Sequence, residues 1–167
     1  MTIGDVLAWV GGIGALCGSA WALYVAVALL FVRRSNQAAD AITESPWKHG
    51  LIGFAVALVA TPVCVALIPN PIPGARLLGM MVLLTVMALA AVGGAGVALI
   101  AAQRIRALDP GVTPFGALSR GAALVVVPCL TPLLGWFLLA PALFFVGLGA
   151  GVRTLRAPEA ATNGFLP

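Results

Sequence analysis

Polar positions are scarce along this chain and fall in a few short breaks between long apolar runs. The first run covers residues 6 to 32 and closes on Arg33 and Arg34. Coiled as a helix, a run of this length crosses roughly 30 Å of hydrocarbon with some tilt. Trp9 stands near its start, where interfacial aromatics gather. The stretch 33–49 is the most polar of the chain. Ser35 is placed to cap a short surface helix that Ser45-Pro46 ends. Trp47, Lys48 and His49 then form an interfacial group ahead of a second run, residues 50 to 68. Pro62 lies inside that run and predicts a kink. The sequence Pro69-Asn70-Pro71-Ile72-Pro73-Gly74 is a strong turn signal. It makes the second run and the third, residues 77 to 103, antiparallel neighbours. Arg104 and Arg106 follow the third run, and Asp109-Pro110-Gly111 and Thr113-Pro114 mark another loop.

The last apolar region does not divide cleanly. About forty residues, from Pro114 to Val152, contain one charge, Arg120. That is too long for one span and barely enough for two. The main reading is an interfacial or tilted half-helix over 114–128, a break at Pro128-Cys129-Leu130-Thr131-Pro132, and a final span over 132–151. A re-entrant hairpin is the alternative. Unwound backbone at that depth requires protein or a wet cavity around it. Residues 153–167 read as a solvated tail.

Composition fixes the class that the pattern suggests. Of 167 residues, 62% are hydrophobic and 8% are charged, against roughly 25% charged in ordinary soluble domains. The fold class is therefore all-α: a polytopic transmembrane helix bundle of about four spans, forming a single domain over 1–152. The first five residues lack a basic leader region, so the first run reads as a retained span rather than a cleaved signal. The net charge of +4 does not indicate nucleic acid, because the basic residues occupy the breaks. With four spans, Arg33, Arg34, Lys48, Arg104, Arg106 and Arg120 share one side, and Arg76, Arg153 and Arg156 the other. Six basic residues against three predict both termini outside the cell membrane, with loops 33–49 and 104–121 cytoplasmic.

Small residues recur at helical spacing. Gly14, Gly18, Ala22 and Ala26 form one stripe on the first span, and Gly11, Ala15 and Ser19 a neighbouring one. Ala90, Gly94, Ala98 and Ala102 do the same on the third, and Gly147 and Gly151 near the end. Small side chains let backbones approach, which holds helices together where lipid cancels the hydrophobic effect. These stripes are the predicted packing surfaces, with a partner helix from this chain or another. Two VGG motifs, at Val10 and Val92, and two Pro–Cys pairs, at Pro62 and Pro128, hint at a diverged repeat. The VGG motifs stand at different distances from their following basic clusters, and biased composition alone produces such matches.

Reactive chemistry is sparse. No charge sits in the middle of the first three spans, which argues against a proton-driven carrier or pump. Cys17, Cys64 and Cys129 lie in apolar runs without metal-ligand spacing, and His49 is alone. Asp40 and Glu44 read as a solvated helix face. No catalytic, cofactor or metal site is predicted.

The carboxyl half carries a further texture. Gly135-Trp136 follows Pro132 and leads into Val146-Gly147-Leu148-Gly149-Ala150, downstream of a glycine-rich span ending in Arg104. Residues 70–152 thus resemble the multi-span bacterial membrane domain that accompanies bactofilins. The chain lacks the repetitive β-rich segment of the polymerising domain. The resemblance implies an anchor or membrane partner of a larger assembly and carries no functional residue over.

The predicted role is an accessory or structural membrane subunit that contacts lipid and another membrane protein or further copies of itself. Its basic residues Arg33, Arg34, Lys48, Arg104, Arg106 and Arg120 would meet lipid or partner. The alternative is a small uncharged-pore channel with a path at the helix breaks Pro62, Pro128 and Pro132.

Overall fold

The computed structural model describes residues 2–131 and 133–156. Among them are six α-helices and no strand: α1 (Ile3–Leu30), α2 (Val32–Glu44), α3 (Pro46–Leu67), α4 (Pro73–Leu108), α5 (Pro114–Val126) and α6 (Ala140–Arg156). Four stretches are long and apolar enough to cross a membrane: Leu7–Leu30, Pro46–Leu67, Pro73–Leu108 and Gly135–Leu155, with mean hydropathy from 1.8 to 2.3. The chain is a membrane protein of the all-α class.

Local chemistry sets the helix ends. Thr2 and Asp5 form a reciprocal cap: the Thr2 backbone N–H donates to the Asp5 carboxylate at 2.7 Å, and Thr2 Oγ1 accepts from the Asp5 N–H at 3.4 Å. The backbone donor, then the hydroxyl, hold the Asp5 carboxyl below the usual carboxylate range. α1 passes into α2 through Phe31, whose backbone (φ −116, ψ 49) is the only break between them. Ser35 is therefore not a cap. It is fully buried one turn into α2, with its hydroxyl reaching back to the Val27 carbonyl at 3.5 Å. α3 starts on Pro46, pre-set for a first helical turn. It stays helical through Pro62, whose missing N–H leaves the Leu58 carbonyl without its helical donor. After residue 67 the turn is tied by the Ile72 N–H donating to Asn70 Oδ1 at 3.0 Å. Gly79 then packs on Leu67 and Ile68, so α3 and α4 are antiparallel neighbours as the turn signal predicts.

α4 is the axis of the bundle. It packs on α1, α2, α3, α5 and α6. The core around it is built from small side chains, with Ala28, Ala39, Ala98, Leu99, Leu118 and Ala122 nearly or fully buried. α2 is amphipathic and contributes to this core. Ala38, Ala39 and Ala41 are buried, the first two against Gly96 of α4. The stretch 33–44 is therefore a packed helix at one end of the bundle rather than a loosely attached surface helix.

α5 packs into the bundle. Ala117, Leu118, Gly121, Ala122, Val125 and Val126 are buried, and Gly121 lies against the backbone of Ala98 and Ala102. A tighter 3₁₀ turn, Val127–Leu130, extends it to 17 residues. That is roughly 26 Å of rise, short of a full crossing. Beyond it lies a π-helical turn, Gly135–Leu139, that packs against the 3₁₀ turn and leads into α6. Pro141 accounts for the widened turn. It has no N–H for the Phe137 carbonyl and its ring crowds that oxygen, so the Ala140 N–H bonds the Gly135 carbonyl instead. Pro132, one of the predicted breaks, lies outside the described residues.

α6 returns toward α2. Gly147 meets Ala90 and Gly93 of α4, Gly149 meets His49 and Gly53 of α3, and Ala150 packs with Ala38 and Ala41 of α2. At its far end the Arg153 guanidinium donates to the Glu44 carboxylate at 2.6 Å. The sequence count placed Arg153 and Arg156 on the side opposite loop 33–49. The structure brings the end of α6 beside the end of α2 instead, because the last region enters and leaves at one end of the bundle.

Candidate functional site

The predicted packing residues divide into two groups. On α4, Gly94 and Ala98 are buried and Ala90 half-buried; on α6, Gly147 and Gly151 are buried. Each finds its neighbour within this chain. A Cβ at Gly94 would run into the ring of Tyr24, and one at Gly151 would overlap the Leu89 carbonyl. These stripes close the bundle.

The α1 stripe does the opposite. Gly14, Gly18, Ala22 and Ala26 are all exposed, as are Gly11, Ala15 and Ser19 beside them. Gly11, Gly12, Gly14 and Gly18 have nothing within 4 Å of where a Cβ would stand. The two VGG motifs thus have unlike surroundings: Gly93 and Gly94 are buried, Gly11 and Gly12 are not.

Some close contacts fall on glycines outside the predicted stripes. Gly53 of α3 faces Gly149 of α6 so tightly that a Cβ on either would overlap the other helix's backbone. A Cβ at Gly93 would likewise overlap the Gly147 backbone, whereas one at Gly147 would stand 3.0 Å from the Ala90 carbonyl oxygen. A lone glycine in an apolar run does not announce its partner. The alanines of α2 offered a weak sign: Ala38, Ala39 and Ala41 cluster on one face of an otherwise polar helix.

The basic residues collect at one end. Arg33, Arg34, Lys48, Arg104 and Arg120 are exposed and Arg106 half-buried. α2, the start of α3, the end of α4 and the start of α5 all lie there. Adding Arg153 and Arg156 gives eight of the nine basic residues, leaving Arg76 at the turn end. His49, read as interfacial, is 4% exposed, with its Nδ1 2.9 Å from the Ser45 carbonyl. Asp40 is exposed as predicted, while Glu44 is held by Arg153.

Arg153 keeps the Glu44 carboxyl below its usual pKa, through its hydrogen bond first and its charge second. A lowered folded-state pKa means the contact is complete above the ordinary carboxylate range and lost as pH falls through the lowered value. Both groups are exposed, so the effect is local. Amide exchange over residues 150–156 is expected to quicken on acidification through that window, and Glu44→Gln to show the fast rate at neutral pH. Equal rates for the two proteins would show that the pair does not hold α6.

The predicted helix breaks are not brought together. Pro62 is exposed on α3, which packs against α4 and α6, whereas Pro128 lies in the turn that contacts α1, α5 and the π-helical segment. Among the described residues no three His, Cys, Asp or Glu side chains cluster as metal ligands. The cysteines are unpaired: Cys64 is buried with its thiol 3.8 Å from the Gly79 carbonyl, and the Cys129 thiol donates to the Val125 carbonyl at 3.5 Å. The Nδ2 of buried Asn36 has no partner among the described residues.

Apolar hollows open at the surface among the described residues. One of about 420 Å³ lies between α1, α4, α5 and α6 and is lined by Cys17, Tyr24, Met87, Val125, Cys129 and Phe144, among others. A second, of about 330 Å³, runs along α1 from Trp9 to Leu16 beneath Trp136. A shallow groove of about 700 Å³ separates α3 from α4. Its one hydroxyl, Thr85, is already spent on the Met81 carbonyl at 2.8 Å.

Comparisons with family models, with curated proteins and with solved structures find no match to this chain.

Proposed function

We propose that this protein is a structural or accessory subunit of the cell membrane that docks another transmembrane helix on the outer face of α1. The observation that carries the reading is the open space over Gly11, Gly14 and Gly18. Glycine in a helix costs roughly 1 kcal/mol relative to alanine. Elsewhere in the bundle that cost is offset by backbone contact, as at Gly53, Gly93 and Gly147. On α1 no contact within the chain offsets it. A second backbone laid along Gly14, Gly18, Ala22 and Ala26 would, through the close packing that drives association in lipid.

The proposed role is structural rather than catalytic, and the partner is another membrane protein or a second copy. It agrees with the anchoring role that the resemblance to bactofilin-associated membrane domains implies. Eight basic residues at the α2 end against one at the turn end support an orientation with the α2 end in the cytoplasm. The α1 start then faces outward and the end of α6 faces the cytoplasm. Arg33, Arg34, Lys48, Arg104, Arg106 and Arg120 lie at the level of anionic headgroups there, each adding about 1 kcal/mol of surface attraction.

The test is the double variant Gly14→Leu, Gly18→Leu, expressed in its native membrane and extracted in mild detergent. Helicity and thermal stability are expected to stay near those of the parent. A stoichiometric partner or homo-oligomer, seen by native mass spectrometry in the parent, is expected to be lost. Retention of the same complex by the variant would reject α1 as the docking face.

A further inference from the structure

We infer that the hollow between α1, α4, α5 and α6 binds a lipid carbonyl at the Tyr24 hydroxyl, with the lipid's apolar chain lying along the inner face of α1. This inference is independent of the docking proposal, which concerns the opposite side of the same helix.

The hollow exists because α1 is fastened at one end only. Near Tyr24 it is pinned twice: the Tyr24 ring sits on Gly94 of α4, and the Trp21 indole N–H donates to the Ser119 carbonyl of α5 at 3.0 Å. Toward its start α1 is largely exposed. The 420 Å³ hollow lies beside the stretch from Leu16 to Tyr24. Leu16 lines both it and the second hollow, which continues to Trp9 and Trp136. The two hollows follow one another along the same side of α1, whose stretch from Tyr24 to Trp9 is about 22 Å long at 1.5 Å per residue. Their volume and apolar walls suit a long-chain lipophile.

One polar group breaks the apolar lining. The Tyr24 hydroxyl has no hydrogen-bond partner among the described residues, and protein atoms do not seal it over. A hydroxyl left unpaired in an apolar surround is costly. Water is a poor remedy, since a trapped water needs two to four polar partners. Besides Tyr24 the hollow offers only weakly polar thiols, and that of Cys129 is committed to Val125. A carbonyl carried in by a lipophile satisfies the hydroxyl without adding an unpaired donor. Two kinds of membrane molecule bring such a group at the head of an apolar chain: acyl esters and prenylated quinones.

The experiment titrates purified protein in nonionic micelles with dioctanoylglycerol, with a decyl-substituted benzoquinone and with decylbenzene, following tryptophan emission. Saturable binding of at least one carbonyl probe is expected. Ester binding alone points to acyl lipids, and quinone binding alone to prenylquinones. Tyr24→Phe keeps the ring on Gly94 and removes only the donor. It is expected to weaken the carbonyl probe about three- to tenfold, the value of one neutral hydrogen bond, and to leave decylbenzene unchanged. Ala20→Phe fills the hollow and is expected to abolish binding of all three. Failure of both carbonyl probes to saturate would overturn the inference. So would equal carbonyl affinity in the parent and Tyr24→Phe.

Discussion

Gly149→Val is expected to destabilise the bundle by about 3 kcal/mol or more, whereas Gly18→Val changes its stability by less than about 0.5 kcal/mol. Both substitutions put the same β-branched side chain into a helix, so intrinsic propensity cancels in the comparison. What differs is the space. A Cβ at Gly149 would overlap the His49 carbonyl and lie 2.9 Å from the Gly53 nitrogen. These are backbone atoms of α3, which cannot swing aside as a side-chain end can. α6 must therefore move off α3. That movement also disturbs Gly147 against Gly93 and Ala150 against α2. Gly18 meets nothing within 4 Å. Thermal unfolding in detergent, followed by circular dichroism, measures the difference. Equal losses at the two positions would mean that the Gly53–Gly149 approach does not hold the fold together.

The contrast between these two glycines also shows what the sequence could and could not reveal. Spacing found the stripes on α1 and α4 equally well, since Gly14, Gly18, Ala22 and Ala26 repeat every four residues just as Ala90, Gly94, Ala98 and Ala102 do. Periodicity says which residues share a face. It does not say what covers that face, because in lipid an outward and an inward surface are both apolar. The same loss of polarity contrast hid the Gly53–Gly149 contact. α2 shows the complementary case. Its polar residues suggested a solvated helix, and only the cluster Ala38, Ala39 and Ala41 pointed inward.

The spans themselves were legible because length and composition decide them. α1, α3 and α4 fall within a few residues of the predicted runs. The last region was not, because 13 residues of α5 and a four-residue 3₁₀ turn are short for a crossing yet too apolar for a loop. No rule of length settles on which side such a segment leaves α6. The long-range contact of Glu44 with Arg153, separated by 109 residues, supplies that information. It also alters the charge balance. Counted on four full spans the basic residues divide six to three, and counted on this packing eight to one. The second division is the stronger topological signal.

That division yields an all-or-none expectation. With Cys17, Cys64 and Cys129 replaced by alanine, single cysteines are introduced as Asn70→Cys, Lys48→Cys or Arg153→Cys. On the proposed orientation, a membrane-impermeant maleimide added to intact cells labels Asn70→Cys and neither of the others. Opening the cells exposes the remaining two. The three positions separate two claims. Lys48 lies at the start of α3 and Arg153 at the end of α6, joined through Glu44, so they must label together whichever way the bundle faces. If Arg153→Cys labels with Asn70→Cys instead, the last region makes an odd number of crossings and the α6 path is wrong. If all three labels are reversed as a set, the packing stands and the direction set by the basic end falls. Charge reversal at Arg33 and Arg34 together would then leave the labelling pattern unchanged. On the orientation proposed here it weakens the bias of the first span, which usually dominates, and mixed labelling at all three positions follows.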